Sequence, residues 1–108
     1  MRTASITRKT SETEIEVYIN IDGNGSYEGS TGIKFLDHML SLIAHHSLSQ
    51  ISIRAAWDLK HHGVEDVAIA LGQAIGKALG TRESIRRFGF AIIPMDEALA
   101  EASVDLIS

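Results

Sequence analysis

The stretch His61-His62-Gly63-Val64-Glu65-Asp66-Val67-Ala68-Ile69-Ala70-Leu71-Gly72-Gln73-Ala74-Ile75-Gly76-Lys77-Ala78-Leu79-Gly80 decides the fold. Val64, Val67, Ala68, Leu71, Ala74, Ile75 and Leu79 recur three and four residues apart. That spacing predicts an amphipathic helix from about His62 to Leu79, with Gly80 as the residue that stops it. An apolar helix face needs a second layer to lie on. The sequence upstream supplies one. Residues 2–9 and 13–21 alternate with period two and are rich in β-branched residues, so they predict two antiparallel strands. Asp22-Gly23-Asn24-Gly25 predicts a turn, and 26–31 a short extended piece. A first helix is expected over about 33–46, with Ile33, Leu36, Leu40 and Ile43 on its apolar stripe. Residues 48–57 alternate again and predict a strand.

The expected order is therefore β-β-(β)-α-β-α across residues 1–81, an α+β half-domain with its helices on one face of the sheet. After a basic loop (Arg82, Arg86, Arg87), residues 88–95 and 98–107 predict two more strands separated by Pro94. This is either the start of a duplicated second half-domain over 82–108, or a pair of terminal strands closing one sheet. The sequence ends at Val104-Asp105-Leu106-Ile107-Ser108, inside an expected strand.

Composition narrows the function. The 108 residues carry a net charge of −4, which disfavours a general nucleic-acid or anionic-membrane role. There is no cysteine, hence no disulfide framework and no thiolate metal site. No apolar run approaches membrane-spanning length, and a cytoplasmic protein is the simplest expectation. All five histidines fall in two blocks, 38–46 and 61–62.

Those blocks carry the candidate chemistry. On a helix His61 and Glu65 project from one face, and so do His62 and Glu65, which lie three apart. One helix start can thus offer imidazole nitrogens and a carboxylate in two directions. Such nitrogen and oxygen donors suit Zn, Mn, Fe or Ni. His38 and His45 share a face of the first helix. Asp37 is a candidate to orient His38. Asp66 is a candidate supporting group or a charge favoured by the helix dipole. Arg86-Arg87 could grip a phosphate, or form a solvated basic turn.

Several motifs together carry a resemblance. They are Arg8-x-Thr10-x-Glu12-Thr13, Thr31-Gly32-Ile33-x-Phe35-Leu36-Asp37-His38-Met39-Leu40, His61-His62-x-Val64-Glu65-Asp66-Val67-Ala68-Ile69-x-Leu71-Gly72, Arg87-Phe88-Gly89 and Pro94-Met95-Asp96-Glu97-Ala98. In this order, and over nearly the whole chain, they resemble the imidazoleglycerol-phosphate dehydratase family. The resemblance implies a duplicated fold of the ribosomal protein S5 domain 2-like kind. It also implies a manganese enzyme of histidine biosynthesis that dehydrates imidazole glycerol phosphate to imidazole acetol phosphate.

By the same resemblance His38, His61, His62 and Glu65 match metal ligands, with two Mn²⁺ in a complete site. Glu12 and His46 match catalytic positions, and Glu12, His38, His46, His61, His62, Glu65 and Arg87 match the substrate site. The metal would act as a Lewis acid on an imidazole nitrogen, with Glu12 carrying a proton. Family sites lie between subunits of a 24-subunit cubic homo-oligomer and draw ligands from both halves.

The chain departs from the pattern in three places. Ser47 follows His46 where the family has Gly, and His45 is extra. The link from Trp57-Asp58 to His61 is three residues shorter than usual, so an aspartate that often precedes the His-His pair has no counterpart. A second histidine helix, a second His-His-x-x-Glu block and a further arginine would follow Ser108. The rival reading is a non-catalytic metal-binding or self-assembling half-domain, whose apolar end predicts association.

Overall fold

The computed structural model describes residues 1–107. The elements are β1 (Thr3–Lys9), β2 (Thr13–Asn20), β3 (Tyr27–Ser30), α1 (Lys34–Ser47), β4 (Gln50–Trp57), α2 (Lys60–Leu79), β5 (Phe88–Met95) and β6 (Ala98–Asp105). The first four strands form one sheet in the order β1-β2-β4-β3. β1, β2 and β4 run antiparallel, and β3 lies parallel to β4 with α1 as the crossover.

Alternation explains the layering. Ile15, Val17 and Ile19 of β2 and Ile51 and Ile53 of β4 are buried, while Glu14, Glu16 and Arg54 face outward. The inward residues meet α2 over β1 and β2 and α1 over β3 and β4, so both helices cover one face, as expected. α2 contributes Val67, Ala70, Leu71, Ala74 and Ala78 to the core; α1 contributes Leu40 and Ala44.

The helix stripes are rotated from the expected phase. Val64 and Ala68 are exposed, as is Ile43, and Gly63 is buried in their place. The cause is a wedge. The Trp57 indole donates from Nε1 to the Thr31 carbonyl at 2.7 Å and lies against Gly32 and Gly63. A Cβ at Gly63 would stand 2.7 Å from the indole ring, so only glycine lets α2 approach with this face. Trp57 thereby gathers the starts of both helices at one end of the sheet.

β5 and β6 pair only with each other, through a turn at Asp96-Glu97, with Asp96 at positive φ. They do not close the first sheet. Pro94 does not separate the strands; it lies within β5, opposite Leu99, in a two-stranded sheet where both strands are edges. Phe88, Phe90, Ile92, Ile93, Met95, Leu99 and Val104 are all exposed. No helix among the described residues is long and apolar enough to cross a membrane.

Candidate active site

The chain converges on His62. The turn between β1 and β2 is built by Thr10, whose hydroxyl accepts from the backbone N–H groups of Glu12 and Thr13. This turn presents Glu12, whose Oε2 lies 2.9 Å from His62 Nε2. On the other edge of the ring, Asp58 Oδ1 lies 2.7 Å from His62 Nδ1. Asp58 is held in turn: its backbone N–H donates to the Glu12 carbonyl at 3.0 Å, and its Oδ1 accepts from Leu59 N–H at 2.6 Å. Ligand atoms of Glu12, Asp58 and His62 all lie within 4.8 Å of one another, and among the described residues no other such trio occurs.

The expectation that no aspartate accompanies the histidine pair is therefore corrected. The shortened link brings Asp58 itself to His62. Sequence reasoning missed it because the contact depends on where β4 ends relative to the first turn of α2. The available signal was spacing, since Asp58 and His62 are four residues apart.

The electrostatics follow from these contacts. The hydrogen bond donated to Asp58 raises the His62 imidazole above its ordinary value, burial opposes it, and the charges of Glu12, Asp58 and Asp66 add to the rise. The same bond to His62 lowers the Asp58 carboxyl. The sign of the linkage is then defined. The contribution of Asp58 is present above its ordinary 3.8 and is lost as pH falls through its lowered value. That of His62 is fully present below 6.5 and is lost as pH rises through its raised value. In metal-free protein, the melting-temperature gap between wild type and His62→Gln should thus be wider at about pH 5.5 than at about pH 9. Equal gaps in thermal melts at both values would show that the ring is not stabilised as a cation.

A buried tie beneath this group sets its geometry. Thr13 Oγ1 donates to Asp66 Oδ2 at 2.5 Å, and Arg8 Nε stands 3.5 Å from Asp66 Oδ1. Asp66 is 8% exposed and Thr13 4%. Asp66 thus anchors the second turn of α2 to β1 and β2, next to Glu12, rather than serving as a helix-start charge. Asp66→Ala strands a hydroxyl and a half-buried guanidinium, and should cost about 2–3 kcal/mol in denaturant unfolding. A loss under 0.5 kcal/mol would contradict the tie.

The other expected site residues do not join this trio. His61 is exposed, with its ring centroid 4.2 Å from that of His62. Glu65 is exposed on α2. His38 is exposed on α1, and Asp37 does not orient it. Asp37 Oδ1 instead accepts from Tyr27 Oη at 2.7 Å and Thr31 N–H at 2.9 Å, which fixes the start of α1. His45 and His46 are exposed in the last turn of α1, edge to face at 5.0 Å. His46 borders an apolar hollow between Ile43 and the β5–β6 hairpin. Arg87 is engaged by Asp105 through Nε at 2.5 Å and Nη2 at 2.9 Å, which raises the guanidinium further. No three of His38, His61, His62 and Glu65 bring ligand atoms within 4.8 Å among the described residues.

Comparison with known proteins identifies the family. The family model described as imidazoleglycerol-phosphate dehydratase matches residues 31–108. A protein of that name from Granulibacter bethesdensis is 56% identical over 97% of this chain and 55% of its own length. One from Jannaschia sp. is 52% identical over 98% of this chain and 56% of its own. The crystal structure of imidazoleglycerol-phosphate dehydratase from Staphylococcus aureus superposes with a TM-score of 0.81 at 32% identity, covering 95% of this chain and 57% of that one. The Pyrococcus furiosus structure, a complex with (S)-C348, gives 0.79 at 41% identity, covering 93% and 53%. The chain spans about half the length of the curated relatives it matches. With the family model, the relatives and the fold in agreement, the chain belongs to the imidazoleglycerol-phosphate dehydratase family.

Proposed function

We propose that this chain forms part of a manganese-dependent hydro-lyase of histidine biosynthesis, which dehydrates imidazole glycerol phosphate to imidazole acetol phosphate. The observation that carries the reading is the Glu12–His62–Asp58 group at the start of a helix that also bears His61 and Glu65, in a chain of this family. The donors are nitrogen and oxygen only, which fits Mn²⁺. His61, His62, Glu65 and His38 are the residues that would hold it. When bound, the metal supplies Lewis-acid activation of an imidazole nitrogen.

The chain's own residues do the rest. Dehydration to a ketone needs one proton taken from carbon and one given to the departing hydroxyl, followed by enol-to-ketone tautomerisation. Glu12, exposed and in contact with His62, carries protons in that exchange. His46 assists from the end of α1. Arg87 binds the phosphate with its planar fork, exchanging Asp105 for the substrate. We infer sites completed by a neighbouring copy or half, in a 24-subunit homo-oligomer in the cytoplasm; that no three of His38, His61, His62 and Glu65 gather their ligand atoms among the described residues supports the shared sites.

The assay is turnover of imidazole glycerol phosphate by the purified chain with added Mn²⁺, followed over a range of protein concentrations. Activity that grows faster than protein concentration supports sites shared between copies. No turnover at any concentration would remove the enzymatic reading for this chain. It would leave the self-assembling half-domain, which the exposed apolar face of β5–β6 together with Phe35 and Ile43 favours.

A further inference from the structure

We propose that Asp66 is a positioning residue for Glu12, which it reaches through a one-way chain of two threonine hydroxyls. This role rests on the reading of Glu12 as the proton carrier of the dehydration. The direction of each bond follows from counting protons. The Thr13 hydroxyl gives its one proton to Asp66 Oδ2. In the 3.2 Å contact between the Thr10 and Thr13 hydroxyls, the donor must therefore be Thr10. The Thr10 oxygen keeps two lone pairs, and the backbone N–H groups of Glu12 and Thr13 fill both, at 3.1 and 3.0 Å. The chain thus runs from the second turn of α2 to the peptide nitrogen of Glu12.

Asp66 decides this order. Without a side-chain oxygen to take it, the Thr13 proton turns to the Thr10 oxygen and competes with Glu12 N–H for a lone pair. Asp66 is itself held, buried, with Arg8 Nε 3.5 Å from its second oxygen. The carbonyl of Glu12 is fixed independently, by the Asp58 N–H at 3.0 Å. With both backbone polar groups engaged, Glu12 springs from a fixed base, and its Oε2 meets His62 2.9 Å away. Asp66 and His62 lie about one helical turn apart on α2, so the hydroxyl chain and the Glu12–His62 contact are parallel ties between one helix and one turn.

The test reads both ends of the chain. Thr10→Val removes the last link and leaves the Thr13–Asp66 bond, Asp66→Ala removes the first link, and Thr10→Ser keeps the hydroxyl. By amide hydrogen exchange, Glu12 N–H should exchange about 3–10-fold faster in Thr10→Val and Asp66→Ala, and at the wild-type rate in Thr10→Ser. With added Mn²⁺ and imidazole glycerol phosphate, the first two should lower kcat by about 10–100-fold and leave KM within a few-fold. Thr10 is exposed, so Thr10→Val should melt within about 8 °C of wild type, which separates the placement of Glu12 from loss of the fold. If Asp66→Ala lowers stability while Glu12 N–H exchange is unchanged, or if KM rises with kcat intact, Asp66 is a structural anchor only and the proposal falls. If exchange responds as expected but wild type shows no turnover, the hydroxyl chain stands and the dehydratase reading fails for this chain.

Discussion

Gly29→Ala should yield a chain that has lost β3 and melts far below wild type. Gly29 sits in β3 at φ +107°, opposite Ile53 of β4. A Cβ there would lie 2.0 Å from the Ile53 carbonyl oxygen and 2.9 Å from its carbon, so the backbones themselves must separate. Neither side can yield cheaply. Ile53 is fully buried at the centre of the sheet, and β3 has only four residues with which to hold its place. The positive φ adds about 1–2 kcal/mol for any residue with a Cβ. Loss of the short parallel ladder brings the expected total to about 4 kcal/mol or more. For a domain of this size that corresponds to a fall of roughly 15 °C or more in melting temperature.

The damage should reach the site. β3 leads into Thr31, which carries the Trp57 contact, and into Asp37, which anchors α1. Thermal melts by circular dichroism and indole fluorescence of Trp57 measure both parts. A variant that melts within about 3 °C of wild type, with Trp57 emission unchanged, would contradict the close approach of β3 to β4.

The contrast between Gly29 and the helices shows which parts of the fold were open to sequence reading. β2 and β4 could be read because half-buried antiparallel strands display their inner and outer faces as simple alternation, and Ile15-x-Val17-x-Ile19 and Ile51-x-Ile53 do so. α2 could be read as a helix, yet its rotation could not. Its many alanines fit two neighbouring phases, and the choice between them comes from Gly63 seated on Trp57, a tertiary contact. α1 shows the same effect, burying Leu40 and Ala44 while Ile43 stays exposed.

The site divides in the same way. His62 and Glu12 were visible as residue types in a motif. Asp58 and Asp66 acquired their roles only when the end of β4, the β1–β2 turn and the start of α2 met in space. The shortened link looked like the loss of an aspartate because only its length could be read. Its path, which carries Asp58 back onto His62, depends on the backbone bond to the Glu12 carbonyl.

On the proposed dehydratase reading, Glu12→Gln in the manganese-loaded protein should lower kcat for dehydration by about 10²–10⁴-fold while leaving KM within a few-fold. The substitution is chosen because it isolates the proton. Glutamine keeps the length and shape of the side chain, and its amide can still meet His62 Nε2 across the 2.9 Å gap. The Thr10 hydroxyl holds the turn through backbone N–H groups, and the bond from Asp58 uses the backbone carbonyl of residue 12, so neither depends on the carboxylate. The fold and the placement of the side chain should therefore persist, and only the ability to take up and release a proton is lost. Glu12→Asp supplies the complementary control. It keeps the proton chemistry but withdraws the carboxylate by one methylene, so its kcat should fall between wild type and Glu12→Gln. If Glu12→Gln keeps kcat within threefold of wild type, Glu12 serves His62 as an ion-pair partner alone. The proton carrier would then have to be sought elsewhere, with His46 at the end of α1 the next residue to substitute.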